Sequence, residues 1–227
     1  MKILGVIALV LLGVYGCWQI KYPSGSFRYK LTLVVDDNGK QYTGSSVVEV
    51  YRQDTTKVFG NSFGGYGYHI TGEVAVVDLG KKGVLFALLK GDQTRNPEHF
   101  GYSEPQAIAL RAFSKAGYVI DDMRHLNQYK PKTNLDFSLL PMLVRFRDIN
   151  DPKTVERVDP NDLEKSFGSG VRLVSAEIEI TDSWVTSGIE NIISKISWKE
   201  HGYAEWKASL SYGNPLRFDW EDFKKNF

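Results

Sequence analysis

Apolar side chains fall on every second position across residues 27–35, with Arg28, Lys30 and Thr32 between them. A period of two over that length predicts a strand with one buried face. Asn38-Gly39 follows, a dipeptide whose tolerance of positive φ suits a two-residue hairpin turn. With those two residues as the turn, Val35 faces Tyr42, Tyr29 faces Val48 and Phe27 faces Val50 on the apolar side. Arg28 then meets Glu49 on the polar side, an opposite-charge pair. Alternation and turn chemistry therefore point to one register. Gly44, Ser45 and Ser46 carry little side chain in the middle of the second strand. That implies a bulky element lying over them, or a bulge.

Residues 74–79 and 84–89 are two short apolar runs joined by Gly80-Lys81-Lys82-Gly83, and they predict central strands covered on both faces. Further on, Met142, Val144 and Phe146 alternate with Arg145 and Arg147. Val174, Ala176, Ile178 and Ile180 alternate with Ser175, Glu177 and Glu179. Set side by side, these two strands would form a ladder of arginines and glutamates on a solvated face. Helix signals appear at three places. Ser103-Glu104-Pro105 opens one that Gly117 ends. Asp159 caps a second, with Pro160 in its first turn and Gly168 at its end. Val185, Ile189, Ile192, Ile193 and Ile196 make an amphipathic stripe over residues 184–196. Strands and helices interleave without a strict βαβ rhythm. The expected fold is α+β and β-rich, with antiparallel hairpin-built sheets and about three short helices.

One stretch lies outside this pattern. Residues 3–20 carry no charge, and Lys2 and Lys21 flank them. At 1.5 Å per residue a helix there covers roughly 27 Å, close to the hydrocarbon thickness of a bilayer. Tyr15, Trp18 and Tyr22 gather at its far end, where an aromatic belt would sit. Three readings stand: a retained single span, a lipoprotein signal with Val14-Tyr15-Gly16-Cys17 as lipobox and Cys17 as the acylated thiol, or a cleaved signal peptide. The expected organisation is a membrane anchor or signal segment at residues 1–22 and one β-rich globular domain at residues 23–227. The short, lysine-bearing tail before the apolar run has the form of an export signal. Lys21, Arg28 and Lys30 after it pull the other way by the positive-inside rule. The expectation adopted is a bacterial membrane protein, single-pass or lipid-anchored, with a periplasmic domain.

Composition narrows the function classes. The chain has 227 residues, 42% apolar and 24% charged, which is globular rather than disordered. Lys and Arg total 28 against 27 acidic residues, so nucleic acid is not an expected partner. Cys17 is the single cysteine, which excludes an intrachain disulfide and a cysteine-rich zinc site. No GxSxG elbow, HExxH helix, phosphate loop or dinucleotide fingerprint is present. His69, His99, His125 and His201 lack metal-ligand spacing. His69 with Glu73 or Asp78 is the one catalytic pairing that arises, and a strand histidine is more often a hydrogen-bonded structural residue. Asp148, Asn150, Asp151 and Asp159, Asn161, Asp162 resemble cation ligands but fit turn and cap chemistry better. No catalytic residue, metal ligand or cofactor is therefore assigned.

Aromatic residues supply the remaining candidates. Phe59, Phe63, Tyr66 and Tyr68 interleave with glycines, and Trp184, Trp198, Trp206 and Trp220 crowd the end of the chain with Tyr203 and Tyr212. Such rings finish a core, or else they form a binding face for a glycan, a membrane or an envelope protein. Tyr66, Tyr68, Trp198, Trp206 and Trp220 are the candidate binding residues.

Residues 27–32 running into residues 43–50, the segment Arg147-Asp148-Ile149-Asn150-Asp151-Pro152 with Val158-Asp159-Pro160, and residues 179–190 resemble a family of bacterial membrane-anchored or exported proteins of no known activity. The resemblance implies a bacterial source and one shared domain type, and it carries no catalytic residue or ligand. The function expected from these readings is a membrane-anchored, periplasmic, non-catalytic binding or envelope-assembly module. The alternative is a cell-envelope hydrolase whose site is assembled from dispersed residues.

Overall fold

Two antiparallel sheets, packed face to face, build the molecule. The computed structural model describes residues 25–54, 66–92, 94–95, 104–118, 123–193 and 202–226. Strands β1 (Gly25–Asp37) and β2 (Lys40–Asp54) pair in the expected register, Phe27 with Val50, Arg28 with Glu49, Tyr29 with Val48 and Val35 with Tyr42. Asn38 and Gly39 make the turn at φ 51° and 90°, the left-handed region that such a turn requires. The Arg28 and Glu49 side chains meet at 3.5 Å.

This hairpin is the centre of a six-stranded sheet. β3 (Tyr66–Glu73) lies beside β2, and β9 (Val171–Ile180) lies beside β1. The short strands β6 (Lys132–Asn134) and β10 (Lys224–Lys225) form its two edges. A second sheet holds β4 (Ala75–Asp78), β5 (Val84–Ala87), β7 (Leu143–Phe146) and β8 (Val155–Arg157), in that order.

The small residues of β2 let the sheets approach. A side chain at Gly44 would place its Cβ 1.8 Å from the Val76 carbonyl oxygen and 2.9 Å from Val77 Cγ2. Ser46 Oγ donates to the Glu73 carbonyl at 2.5 Å. The bulky element expected over Gly44-Ser45-Ser46 is therefore β4. Val77 and its neighbour Leu85 face the larger sheet, so Val76 and its neighbour Phe86 face away from it. The C-terminal segment covers that outer side. Phe218 and Phe223 pack against Phe86 and Phe146 with ring centroids 5.7–6.4 Å apart.

The outer face of the larger sheet is crossed by residues 181–189. The Thr181 amide donates to the Arg28 carbonyl at 3.0 Å, and the Thr186 amide donates to the Val47 carbonyl at 3.1 Å. The Val47 amide returns a bond to Thr186 Oγ1 at 2.8 Å. The Ile189 amide then reaches Glu73 Oε2 at 2.8 Å. This strap buries Val47 on a face that is otherwise polar. The molecule thus has four layers: strap, large sheet, small sheet and C-terminal segment. One connected apolar core runs from Phe27 to Phe223.

Five short helices occur among the described residues: α1 (Pro105–Lys115), α2 (Met123–Tyr129), α3 (Glu164–Phe167), α4 (Glu190–Ile193) and α5 (Tyr203–Ser209). The first matches its sequence signals, with Pro105 in the opening turn and Gly117 at φ 87° after its end. The second expected helix is much shorter, and the third is helical only from Glu190 among the described residues. Asp159 does not cap a helix; it accepts the Asn161 amide in a turn, and only Glu164–Phe167 is helical before Gly168. Residues 184–188 form no regular secondary structure in the strap, and helix begins at Glu190. Ile189 and Ile193 of the isoleucine stripe are buried, and Ile196 lies outside the described residues.

Strand pairing also departs from expectation. The strand with Arg145 and the strand with Glu177 and Glu179 belong to different sheets. Arg145 meets Glu156 of β8 at 3.4 Å, while Glu179 meets Lys30 at 3.3 Å and Glu177 meets Lys132 at 2.8 Å. Val174 is not part of the buried alternation. It is skipped where Val34 faces Ser175 and Val35 faces Leu173, and this bulge leaves it 45% exposed. The run over residues 74–79 is covered on both faces as expected, although β4 sits at an edge of its sheet. Among the described residues no helix is long and apolar enough to cross a membrane. Residues 3–20, with Cys17, lie outside them.

Candidate binding surfaces

The catalytic pairing considered for His69 does not form. Its imidazole is exposed on β3, 6.1 Å from the Tyr51 ring. Glu73 is 2% exposed, and its carboxylate takes the Lys224 ammonium at 3.0 Å and the Ile189 amide. Asp78 accepts the Gly80 amide at 2.8 Å to shape a turn. His99 and His201, and the side chain of His125, lie outside the described residues.

The acidic clusters are turns, as expected. Asp148 Oδ1 accepts from the Asn150 amide at 2.9 Å, Asp151 Oδ1 accepts from Lys153 at 3.0 Å, and Thr154 Oγ1 bonds both neighbouring carbonyls. Among the described residues no group of three or more His, Cys, Asp or Glu could hold a metal ion.

Asp36, Glu73 and Asp92 are buried carboxylates among the described residues that were not evident in the sequence; Asp36 faces Arg172 at 3.5 Å, and Glu73 and Asp92 tie distant segments together. Glu73 ties the strap and β10 to β3. Asp92, 2% exposed, accepts from Thr94 Oγ1 at 2.8 Å and from Arg95 and Arg157 at 2.9 Å each. Burial pushes the Asp92 carboxyl up. The Thr94 hydroxyl and the two guanidinium groups outweigh that effect and hold it below its ordinary value. Arg95 also bonds the Phe137 and Leu140 carbonyls at 3.1 and 2.9 Å. The node fastens the segment after β5 to β8 and to the loop before β7.

An open cleft of about 610 Å³ lies on the C-terminal layer. Trp220 and Tyr203 supply its rings, and Lys207, Arg217, Asp219 and Glu221 supply its charges. The Tyr203 hydroxyl donates to the Phe218 carbonyl at 2.7 Å, and burial raises its pKa, so it stays a neutral phenol. Trp206 stacks on Tyr203 with centroids 5.5 Å apart. Lys207 pairs with Asp219 across the cleft, and Arg217 Nη1 donates to the Leu210 carbonyl at 2.8 Å. The cleft therefore offers part of an indole and several polar atoms in a fixed frame.

Of the candidate binding residues, Trp206 and Trp220 are half-buried against the core, and Trp220 still lines the cleft. Tyr68 is exposed and borders a separate recess of about 360 Å³ with Gln106, Leu110 and Arg111 of α1. Trp198 and the side chain of Tyr66 lie outside the described residues. Among the described residues, Tyr68 and Trp220 border separate recesses. The most exposed rings among the described residues are Tyr212, at 100%, and Trp184, at 86%. Neither residue is distinguishable from the buried aromatics by its neighbours in the sequence. No family model, curated protein or solved structure matches this chain.

Proposed function

We propose that the protein is a membrane-tethered, non-catalytic binding module of the bacterial cell envelope, with its folded part in the periplasm and its ligand in the C-terminal cleft. The observation that carries this reading is the uncharged stretch of residues 3–20, which stops four residues before the first residue of β1. A span or lipid anchor there holds the folded part at one bilayer face, and tethering raises its effective concentration near an envelope partner. The cleft supports binding because ring surface bordered by fixed charges suits a glycan or a segment of an envelope protein. Lys207 and Asp219 neutralise each other and act as a frame.

Fractionation and site-specific crosslinking test the two halves of this reading. The full-length chain is expected to stay with bacterial membranes through a high-salt wash. Recovery in the soluble fraction with residues 1–20 intact overturns the tether. A photoreactive residue replacing Glu221, at the cleft, is expected to yield a discrete adduct in cells, whereas one replacing exposed Tyr118 is not. Adducts from Tyr118 alone overturn the cleft as the binding site.

A further inference from the structure

Trp184 is a large ring in a place that solvent alone does not explain. It stands on the strap, 86% exposed, with the Arg28 guanidinium 5.8 Å from the ring centroid. Arg28 Nη1 also reaches the Ser183 carbonyl at 3.5 Å, so the strap beside Trp184 is held against β1. Arg28 lies three residues from the start of β1, roughly 10 Å along the strand.

The same corner carries a second exposed ring. Tyr129, at the end of α2, is exposed, and its neighbour Lys130 pairs with Asp182, two residues before Trp184. Asn127 of α2 donates to the Ser26 carbonyl at 2.8 Å, which fixes α2 to the first residues of β1. Trp184, Tyr129, Arg28 and Lys130 thus surround the point where the folded chain begins.

The length of the connection decides what this corner meets. From Ile20 to Gly25 is five residue steps, at most about 18 Å when fully extended. On the reading that residues 3–20 are held in a bilayer, the start of β1 cannot leave the headgroup layer by more than that distance. Indole and phenol rings beside cationic side chains are the groups that settle at a membrane–water interface.

We propose that Trp184 and Tyr129 insert into the headgroup region of the bilayer that holds residues 3–20 and fix the orientation of the folded part. The occupant of this surface is the phospholipid interface itself, with Arg28 and Lys130 toward lipid phosphate. The C-terminal cleft lies on the layer opposite the strap, so docking at this corner keeps the cleft mouth turned away from the lipid.

The test uses the full-length chain reconstituted into vesicles of phosphatidylethanolamine and phosphatidylglycerol with headgroup-proximal nitroxide lipids. The Trp184 signal is the difference between wild type and Trp184→Phe, and the Trp18 signal is the difference between wild type and Trp18→Phe. Trp184 is expected to be quenched on the order of twofold by the nitroxide, as an interfacial indole would be. Its emission is also expected to shift to the blue relative to nitroxide-free detergent. A quenched Trp18 with an unquenched Trp184 overturns the docking and leaves the tether standing. Protein that fails to float with the vesicles overturns both. The exposed ring tolerates the conservative change, and an unaltered melting temperature for Trp184→Phe verifies that the variant is folded.

Discussion

Asp92 shows how much of this molecule rests on single side chains without reactive roles. Its carboxylate is buried, and it survives as an anion because Thr94, Arg95 and Arg157 all donate to it. Its folded pKa lies below the unfolded value of about 3.9, so it adds stability above that pH and loses it as pH falls through the folded value. Asp136 is lowered to about 2 by the Lys115 ammonium and the Ser138 amide, but its exposure limits its contribution. Asp92→Asn is expected to cost about 3 kcal/mol at pH 7, because two guanidinium groups lose their counter-charge in a semi-buried site. The deficit relative to wild type is expected to shrink below pH ~4, and urea denaturation at pH 7 and pH 3 measures both values. A constant difference across that range would show that the carboxylate is not the titrating group. Nothing local in the sequence marks Asp92, since Gly91-Asp92 reads as an ordinary turn and Arg157 is far along the chain. Gly44 differs in this respect, because its lack of a side chain inside a strand pattern already points to a close approach.

The elements divide by the range of the forces that specify them. The β1–β2 hairpin was legible because Asn38-Gly39 sets the turn and the period of two sets the faces, both within a short stretch. Helix α1 was legible for the same reason, from Pro105 and Gly117. The partner of β9 was not, because pairing across the chain depends on which apolar faces meet after collapse. Residues 184–188 were misread as helix because Val185, Ile189 and Ile193 have helical spacing while the strap amides bond to β1, β2 and the Glu73 carboxylate. The candidate site was only partly legible: Trp206 and Trp220 were identifiable as aromatic candidates, but their depth depends on how α5 folds back over Phe218. Thr186 holds the strap to the sheet through two hydrogen bonds with Val47. Thr186→Val keeps the shape and leaves the Val47 amide without its side-chain acceptor. Stability is expected to fall by about 2 kcal/mol, read from the shift in urea midpoint. Trp184 emission is expected to change in the same variant, because it rides on the strap.

At the scale of the whole molecule, late residues of the chain complete structures that begin elsewhere. Phe218 and Phe223 close the outer side of the small sheet, and Lys224 answers the buried Glu73 carboxylate. A chain truncated after Arg217 is expected to be insoluble or to bind a hydrophobic dye strongly, since the rings of Phe86 and Phe146 lose their cover. Soluble yield and dye fluorescence measure this directly. The larger sheet has the same dependence on late residues, because Arg28 is bonded to Ser183, 155 positions further along the chain. Both sheets are therefore completed by residues from the later half of the chain, and losing those residues leaves each sheet with an uncovered side.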